Sequence, residues 1–88
     1  MMKPIRFTKH AEEKFLLLAK HGCMITRSQV LEILRNPERV IDGYKGRHIA
    51  QGNHDQDHVL RIVYEDTELE ITVVTFYPAR SSRYESTI

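Results

Sequence analysis

The sequence predicts an α+β domain with the element order β-α-α-β-β-β, in which two helices pack on one face of an antiparallel sheet. Apolar residues recur at helical spacing in the first half of the chain. The second half is rich in β-branched and aromatic residues, which favour strands. A chain of 88 residues has the length of one domain with a single core, so residues 1–88 are assigned to one domain.

The first strand and the first helix are short and adjacent. Ile5–Phe7 alternates apolar and polar residues, as an edge strand does. The first helix is predicted from Thr8 to about His21, because Thr8 offers an N-cap oxygen and Gly22 suits the left-handed position that follows a helix. Its apolar face consists of Ala11, Phe15 and Leu18.

The second helix has a stronger start signal. Thr26 and Gln29 have the spacing of a capping box, in which each side chain accepts a hydrogen bond from the other residue's backbone N–H. Its apolar face consists of Val30, Leu31, Ile33 and Leu34. Pro37 forces Asn36 out of helical geometry, so the helix is expected to stop near Arg35.

Extended segments fill the rest of the chain. Arg39–Ile41 leads into Asp42-Gly43, a dipeptide typical of tight turns. The candidate strands that follow are 47–51, 58–64 and 69–77, the last of which is expected to end at Pro78.

Alternation in the segment 58–64 assigns its two faces. Leu60, Ile62 and Tyr64 point to one side and form the better core face. Arg61 then lies on the opposite face of the sheet, where a groove could form.

The net charge and the cysteine content argue against several classes of protein. A net charge of +1 argues against a strongly basic nucleic-acid coat, although it allows a local basic patch. Cys23 is the single cysteine, which excludes an internal disulfide and a thiolate metal cage and suits a reducing compartment. The chain begins without the apolar run of a signal peptide and has no apolar stretch of membrane-spanning length, so we expect a cytoplasmic protein.

Histidines offer a metal site as one alternative. The candidate ligands are His48, His54, Asp55, Asp57 and His58. Because three of them fall in one polar loop without a second anchored pair, a solvated loop is the preferred interpretation, and no metal or organic cofactor is expected.

His10 is the more interesting histidine. In the first helical turn it could transfer a proton or contact a phosphate, or it could be half-buried and tie the helix to the last strand. No nucleophile triad is evident around Cys23. Gly43, Gly46 and Gly52 lack the strand-to-helix context of a phosphate loop.

Basic residues cluster after the last strand. Arg80, Arg83 and Tyr84 follow one another there, and Arg47 and Arg61 could join them across the sheet. Arginine binds phosphate in a bidentate manner and tyrosine stacks on bases, so this cluster is typical of RNA binding; the alternative is a solvated terminal segment.

Several segments together resemble a small prokaryotic domain-of-unknown-function family, which is itself similar to the RelE and BrnT toxins of toxin–antitoxin systems. The resemblance covers nearly the whole chain and depends on Phe7–Ala11, Val30–Pro37, Arg47–Gly52, Val59–Tyr64 and Val73–Pro78. The chain departs from BrnT-like toxins at Thr75-Phe76-Tyr77, where those toxins have a Ser-Ala-Arg run, and at Lys45-Gly46, which lack the acidic residue that often precedes the arginine matching Arg47.

The resemblance implies a RelE/BrnT-like fold and a metal-independent endoribonuclease that acts on messenger RNA, engaged on the ribosome, with a cognate antitoxin as partner. The implied catalytic residues are His10, Arg61 and Arg80, and the implied RNA-binding residues are Arg47, Arg83 and Tyr84. The alternative is a non-catalytic protein-interaction domain that retains the fold, which the near-neutral charge and the missing motif arginine favour. A small core and an unpaired sheet edge also favour self-association.

Overall fold

A short strand, two helices and four further strands make up the fold. The computed structural model describes residues 3–81, without the side chain of Tyr44. Helices α1 and α2 span Lys9–Lys20 and Arg27–Arg35. Strands β1 to β5 span, in order, Ile5–Phe7, Arg39–Asp42, Arg47–Asn53, His58–Asp66 and Ile71–Arg80.

Both helices begin and end at the residues that the sequence predicts. Thr8 Oγ1 accepts a hydrogen bond from the backbone N–H of Ala11 at 3.1 Å. Gly22 adopts φ +82°, and its N–H donates to the carbonyl of Ala19, which closes α1. The capping box of Thr26 and Gln29 opens α2 with both of its hydrogen bonds present.

The sheet has the strand order β1-β5-β4-β3-β2 and is mixed. The expectation of a purely antiparallel sheet was wrong, because β1 pairs with β5 in parallel. A parallel pair requires a long crossover, and the chain between β1 and β5 contains both helices and three strands. Hydrogen bonds from Thr8 N to Val73 O and from Ile71 N to Pro4 O, both 3.0 Å, continue this pairing.

The predicted element order also lacked one strand. The segment Arg39–Ile41, which was expected to lead into a turn, belongs to β2, an edge strand in register with β3 from Arg39 opposite Gln51 to Asp42 opposite His48. The connection is a 3₁₀ turn at Tyr44–Gly46, in which Lys45 adopts φ +57°.

Strand β5 continues past Pro78 to Arg80, contrary to expectation. Because β1 pairs only with residues 71–73, the side of β5 facing away from β4 has no strand neighbour at Pro78 among the described residues. A proline without an N–H is tolerated at such an edge position.

The core lies between the two helices and one face of the sheet. Leu60, Ile62 and Phe76 are fully buried, and Tyr64 packs partly buried against them, as the alternation in β4 predicts. The ring of Phe15 in α1 lies 4.6 Å from that of Phe76, measured between centroids. Both helices therefore cover the same face of the sheet.

Helix α2 approaches β3 very closely at Gly52. A Cβ atom added to Gly52 would lie 2.5 Å from Cγ1 of Ile33 and 3.0 Å from two further atoms of that side chain. Glycine at this position lets the α2 side chain rest directly on the strand backbone.

Within residues 3–81, neither helix has the length and apolarity needed to cross a membrane.

We expect Gly52→Ala to destabilise the protein by about 1–3 kcal/mol, because the new methyl group overpacks against Ile33. Combining it with Ile33→Val, which removes a methyl group from the contact, should recover part of that loss. Chemical denaturation of the four proteins of this cycle measures the coupling. Asn53→Ala, at the next and exposed position, is the matched control and should have a much smaller effect. Simple additivity of the two substitutions would contradict the proposed contact.

Candidate nucleic-acid interface

No described helix packs on the second face of the sheet, which we call the helix-free face. Strand register aligns the side chains of this face in rows, two of which cross all four strands β2 to β5. One row is largely apolar and consists of Ile41, Ile49, Val63 and Thr75. The other, the Arg61 row, consists of Arg39, Gln51, Arg61 and Tyr77. This confirms the predicted placement of Arg61 opposite the core.

Arg61 is a partly buried cation whose guanidinium is oriented by an amide. Its Nε donates a hydrogen bond to Oε1 of Gln51 at 3.0 Å, and Gln51 is only 5% exposed. Within residues 3–81, no carboxylate forms an ion pair with Arg61. A partly desolvated charge without a counter-ion is costly, and the planar guanidinium still has four N–H donors besides Nε–H. The geometry therefore favours an external anion at this position.

Tyr77 and Arg39 flank this pair. Tyr77 lies directly opposite Arg61 on β5, and Arg39 lies directly opposite Gln51 on the edge strand β2. Side chains in such pairs have Cβ atoms about 5 Å apart, so an aromatic ring and a guanidinium lie within reach of one ligand. Three strand spacings separate Tyr77 from Arg39, a distance of about 14 Å.

Thr75 adds an unsatisfied polar group to the same face. Its hydroxyl is buried and has no hydrogen-bond partner among the described residues. Thr75 stands two residues before Tyr77 on β5, so this hydroxyl lies in the row next to Arg61.

Arg47 lies on the helix-free face but at its far end. It forms an ion pair with Glu65, with 3.3 Å between Arg47 Nε and a carboxylate oxygen. Since Glu65 is four residues from Arg61 on β4, the two arginines are separated by about 13 Å along the strand. A shallow cavity of about 460 Å³ lies beside Arg47 and is lined by Gly43, Lys45, Arg47, Ile49 and Val63.

The structure does not bring His10 or Arg80 to Arg61. His10 is exposed on α1, in the layer on the opposite side of the sheet, so the half-buried alternative for it was wrong. Arg80 lies opposite His58 and three residues after Tyr77 on β5. Because this separation is odd, Arg80 lies on the helix-bearing face. Arg83 and Tyr84 lie outside the described residues.

The histidines considered as metal ligands are dispersed. His48 Nδ1 lies 3.3 Å from Asp42 Oδ1, and the His48 ring packs against Tyr64, whose pKa is raised by burial and then by Asp66 and Asp42. His58 Nδ1 lies 2.9 Å from an oxygen of Asp55; this hydrogen bond lowers the pKa of Asp55 below its ordinary value. Within residues 3–81, no three histidine, cysteine or carboxylate side chains are grouped for a metal ion.

A second cavity, of about 270 Å³, lies between the α1–α2 connection and the β3–β4 loop. Cys23, His54 and His58 contribute to its lining. Cys23 Sγ lies 3.9 Å from Nε2 of His54, and Gln29 Nε2 lies 3.2 Å from the other ring nitrogen of His54. This cysteine–histidine–amide arrangement was not visible in the sequence, because its members come from three different segments.

Hydrogen bonding assigns the tautomer of His54. Gln29 Oε1 accepts the N–H of Thr26 in the capping box, so the amide nitrogen of Gln29 faces His54 Nδ1 and donates to it. The ring proton then lies on Nε2 and points at Cys23. His54 donates to the sulfur and has no free nitrogen to accept the thiol proton, so the arrangement lacks the base that activates a nucleophilic cysteine.

Sequence reasoning identified Arg61 but not the residues around it. Gln51, Tyr77 and Arg39 belong to three other strands, and only the strand register shows that they share a row with Arg61. Alternation could have assigned each residue to a face within its own strand. It could not have aligned the four strands.

Comparisons with protein-family models, with curated proteins and with solved structures each found no match to this chain.

We expect Gln29→Glu to move the proton of His54 from Nε2 to Nδ1. One carboxylate oxygen would preserve the capping box, while the other would accept from Nδ1 instead of donating to it. Long-range proton–nitrogen NMR correlations of the imidazole ring distinguish the two tautomers. Ser28→Glu, at the adjacent exposed position, is the control and should leave the proton on Nε2. A ring protonated on Nδ1 in the wild-type protein would contradict the assignment.

Proposed function

We propose that this protein is a toxin-like RNA-binding domain that holds single-stranded RNA on the helix-free face of its sheet. The observation that carries the proposal is Arg61, a partly buried guanidinium with an amide partner and no carboxylate partner among residues 3–81. Phosphate is the anion that a planar, bidentate donor suits best.

The neighbours of Arg61 favour a nucleic acid over a small anion. Tyr77 offers a ring on which a base can stack, and Arg39 offers a second cation at the other end of the row. A row about 14 Å long accommodates roughly two or three nucleotides, the number that RNA-binding sheets hold when they stack bases on aromatic residues. On strands β2 to β4 this face carries three arginines and one carboxylate. They are Arg39, Arg47, Arg61 and Glu65.

The resemblance of the sequence to RelE and BrnT toxins supports RNA as the polymer. On this proposal the protein acts in the cytoplasm on messenger RNA, at the ribosome, and a cognate antitoxin restrains it. The observed α+β architecture, with two helices on one sheet face, is compatible with that assignment.

Metal-independent RNA cleavage is a second candidate activity, favoured by the hydroxyl of Tyr77 beside Arg61. In this chemistry a base removes the proton of the ribose 2′-hydroxyl, whose oxygen attacks the adjacent phosphorus, and an acid protonates the departing 5′-oxygen. Arg61 would stabilise the charge on the phosphoryl oxygens, and Tyr77 could donate the proton. His10 lies on α1, on the other side of the sheet, so it does not share this site. The proposal therefore gives His10 no role in cleavage.

We expect Arg61→Ala to weaken binding of a short single-stranded RNA and to reduce the slope of log affinity against log salt by about 0.7, the value for one lost phosphate contact. Tyr77→Leu should weaken binding about tenfold or more with an unchanged salt slope, because stacking is lost while charge is kept. Fluorescence anisotropy at several salt concentrations measures both quantities.

Arg35→Ala is the matched control for these variants, since Arg35 is an exposed arginine on α2 in the helix layer. It should leave RNA affinity unchanged at each salt concentration. Equal losses in Arg35→Ala and Arg61→Ala would indicate non-specific attraction and would contradict a site at Arg61. Arg61→Lys should retain the salt slope but lose affinity, because lysine lacks the planar fork.

If the domain cleaves RNA, Tyr77→Phe should slow cleavage by a factor of about 10²–10⁴ while RNA affinity changes little, because only the hydroxyl is removed. His10→Ala should leave the rate unchanged. The assay is gel analysis of RNA alone and of translating ribosomes, without added metal. Binding without cleavage in both formats would identify a non-catalytic RNA-binding module. A large loss of rate in His10→Ala would contradict the assignment of cleavage to the Arg61 row.

A further inference from the structure

Helix α1 carries an exposed apolar stripe on its outer side. Leu16 and Leu17 are 71% and 48% exposed, although Ala11, Phe15 and Leu18 on the other side of the same helix contact the core. A shallow depression of about 370 Å³ runs along this outer side. Exposed leucines that are adjacent on a helix surface are typical of an interaction site.

Two opposite charges flank the leucines at helical spacing. Glu13, Leu16, Leu17 and Lys20 follow the pattern i, i+3, i+4, i+7 and therefore form one continuous stripe. Neither Glu13 nor Lys20 has an ion-pair partner within the part of the chain that the structure describes, and both line the depression. The two residues stand on either side of the leucines, equally far from the midpoint between Leu16 and Leu17.

We propose that the outer face of α1 binds a second copy of this chain, with the two α1 helices antiparallel about a two-fold axis between Leu16 and Leu17. Leu16 of each copy then packs beside Leu17 of the other. Glu13 of each copy faces Lys20 of the other, which gives two equivalent ion pairs at the ends of an apolar centre. A two-fold interface must be self-complementary, and this stripe has that property.

Charge complementarity selects this arrangement. In a parallel pair, Glu13 would face Glu13 and Lys20 would face Lys20, and like charges at such positions are destabilising. A helix with charges of one sign only would satisfy just one of these two residues, whereas an antiparallel second copy satisfies both. The stripe lies in the helix layer, so this dimer leaves the Arg61 row on the other side of the sheet accessible to RNA.

Charge reversal tests the proposal. The wild-type protein should show a mass that rises from monomer towards dimer between about 10 μM and 1 mM in sedimentation equilibrium. Glu13→Lys alone and Lys20→Glu alone should each raise the dissociation constant by about tenfold, because both ion pairs become repulsive contacts. The double variant Glu13→Lys/Lys20→Glu restores the complementary pairing and should restore the wild-type constant.

Two exposed leucines supply the matched apolar test. Leu16→Glu should abolish the dimer, whereas Leu69→Glu, at an 81% exposed position in the β4–β5 turn, should not change it. All these positions are exposed, so we expect each variant to fold, and far-ultraviolet circular dichroism checks this. A wild-type protein that stays monomeric throughout the range would overturn the proposal. A dimer that does not respond to the single charge reversals, or a double variant that fails to dimerise, would overturn it as well.

Discussion

The alternation of side chains along β4 is the constraint on which the rest of the structure depends. β4 is the central strand of five, and its side chains alternate between the two faces of the sheet. Leu60 and Ile62 point into the helix layer and are fully buried, while Arg61 between them points the other way. A shift of one residue in the register of β4 would bury a guanidinium in the core and expose both aliphatic side chains. The free energy of burying the two aliphatic side chains therefore also holds Arg61 on the helix-free face.

The two faces of the sheet carry different kinds of side chain. On the helix-bearing face, close packing extends to the backbone, and Ile33 rests on Gly52 without an intervening side chain. The helix-free face is partly buried as well, since Val59 and Gln51 are 4% and 5% exposed, but it also holds polar groups in an ordered row. Gln51 is nearly as inaccessible as a core residue but uses its amide to orient a cation. This hydrogen bond orients the guanidinium in the free protein, so on the proposed function its donors do not have to be fixed at the moment of binding.

The capping box of α2 is formed by residues close together in the chain, but it also affects a residue outside the helix. The capping box that begins α2 also fixes the orientation of the Gln29 amide, which in turn assigns the ring proton of His54 in a loop between β3 and β4. A signal for a helix start thus decides which hydrogen-bonding group Cys23 meets. The spacing of Gln29, His54 and Cys23 in the chain predicts neither the distances between their side chains nor which groups form the hydrogen bonds.

The sequence by itself determined the limits of the two helices and the faces of β4, which depend on local stereochemistry. Thr8 and Thr26 fixed the helix starts, Gly22 closed the first helix, and alternation assigned Arg61 to the face opposite the core, because caps, positive φ angles and pleated backbones act over a few residues. Only the tertiary structure decided that β1 pairs in parallel with β5, that Arg39–Asp42 pairs as an edge strand, and that Gln51 and Tyr77 stand beside Arg61 while His10 and Arg80 do not. Those choices depend on hydrogen bonds and contacts between residues up to about 70 positions apart, and their free energy is the sum of many weak pairings that no single motif in the chain records.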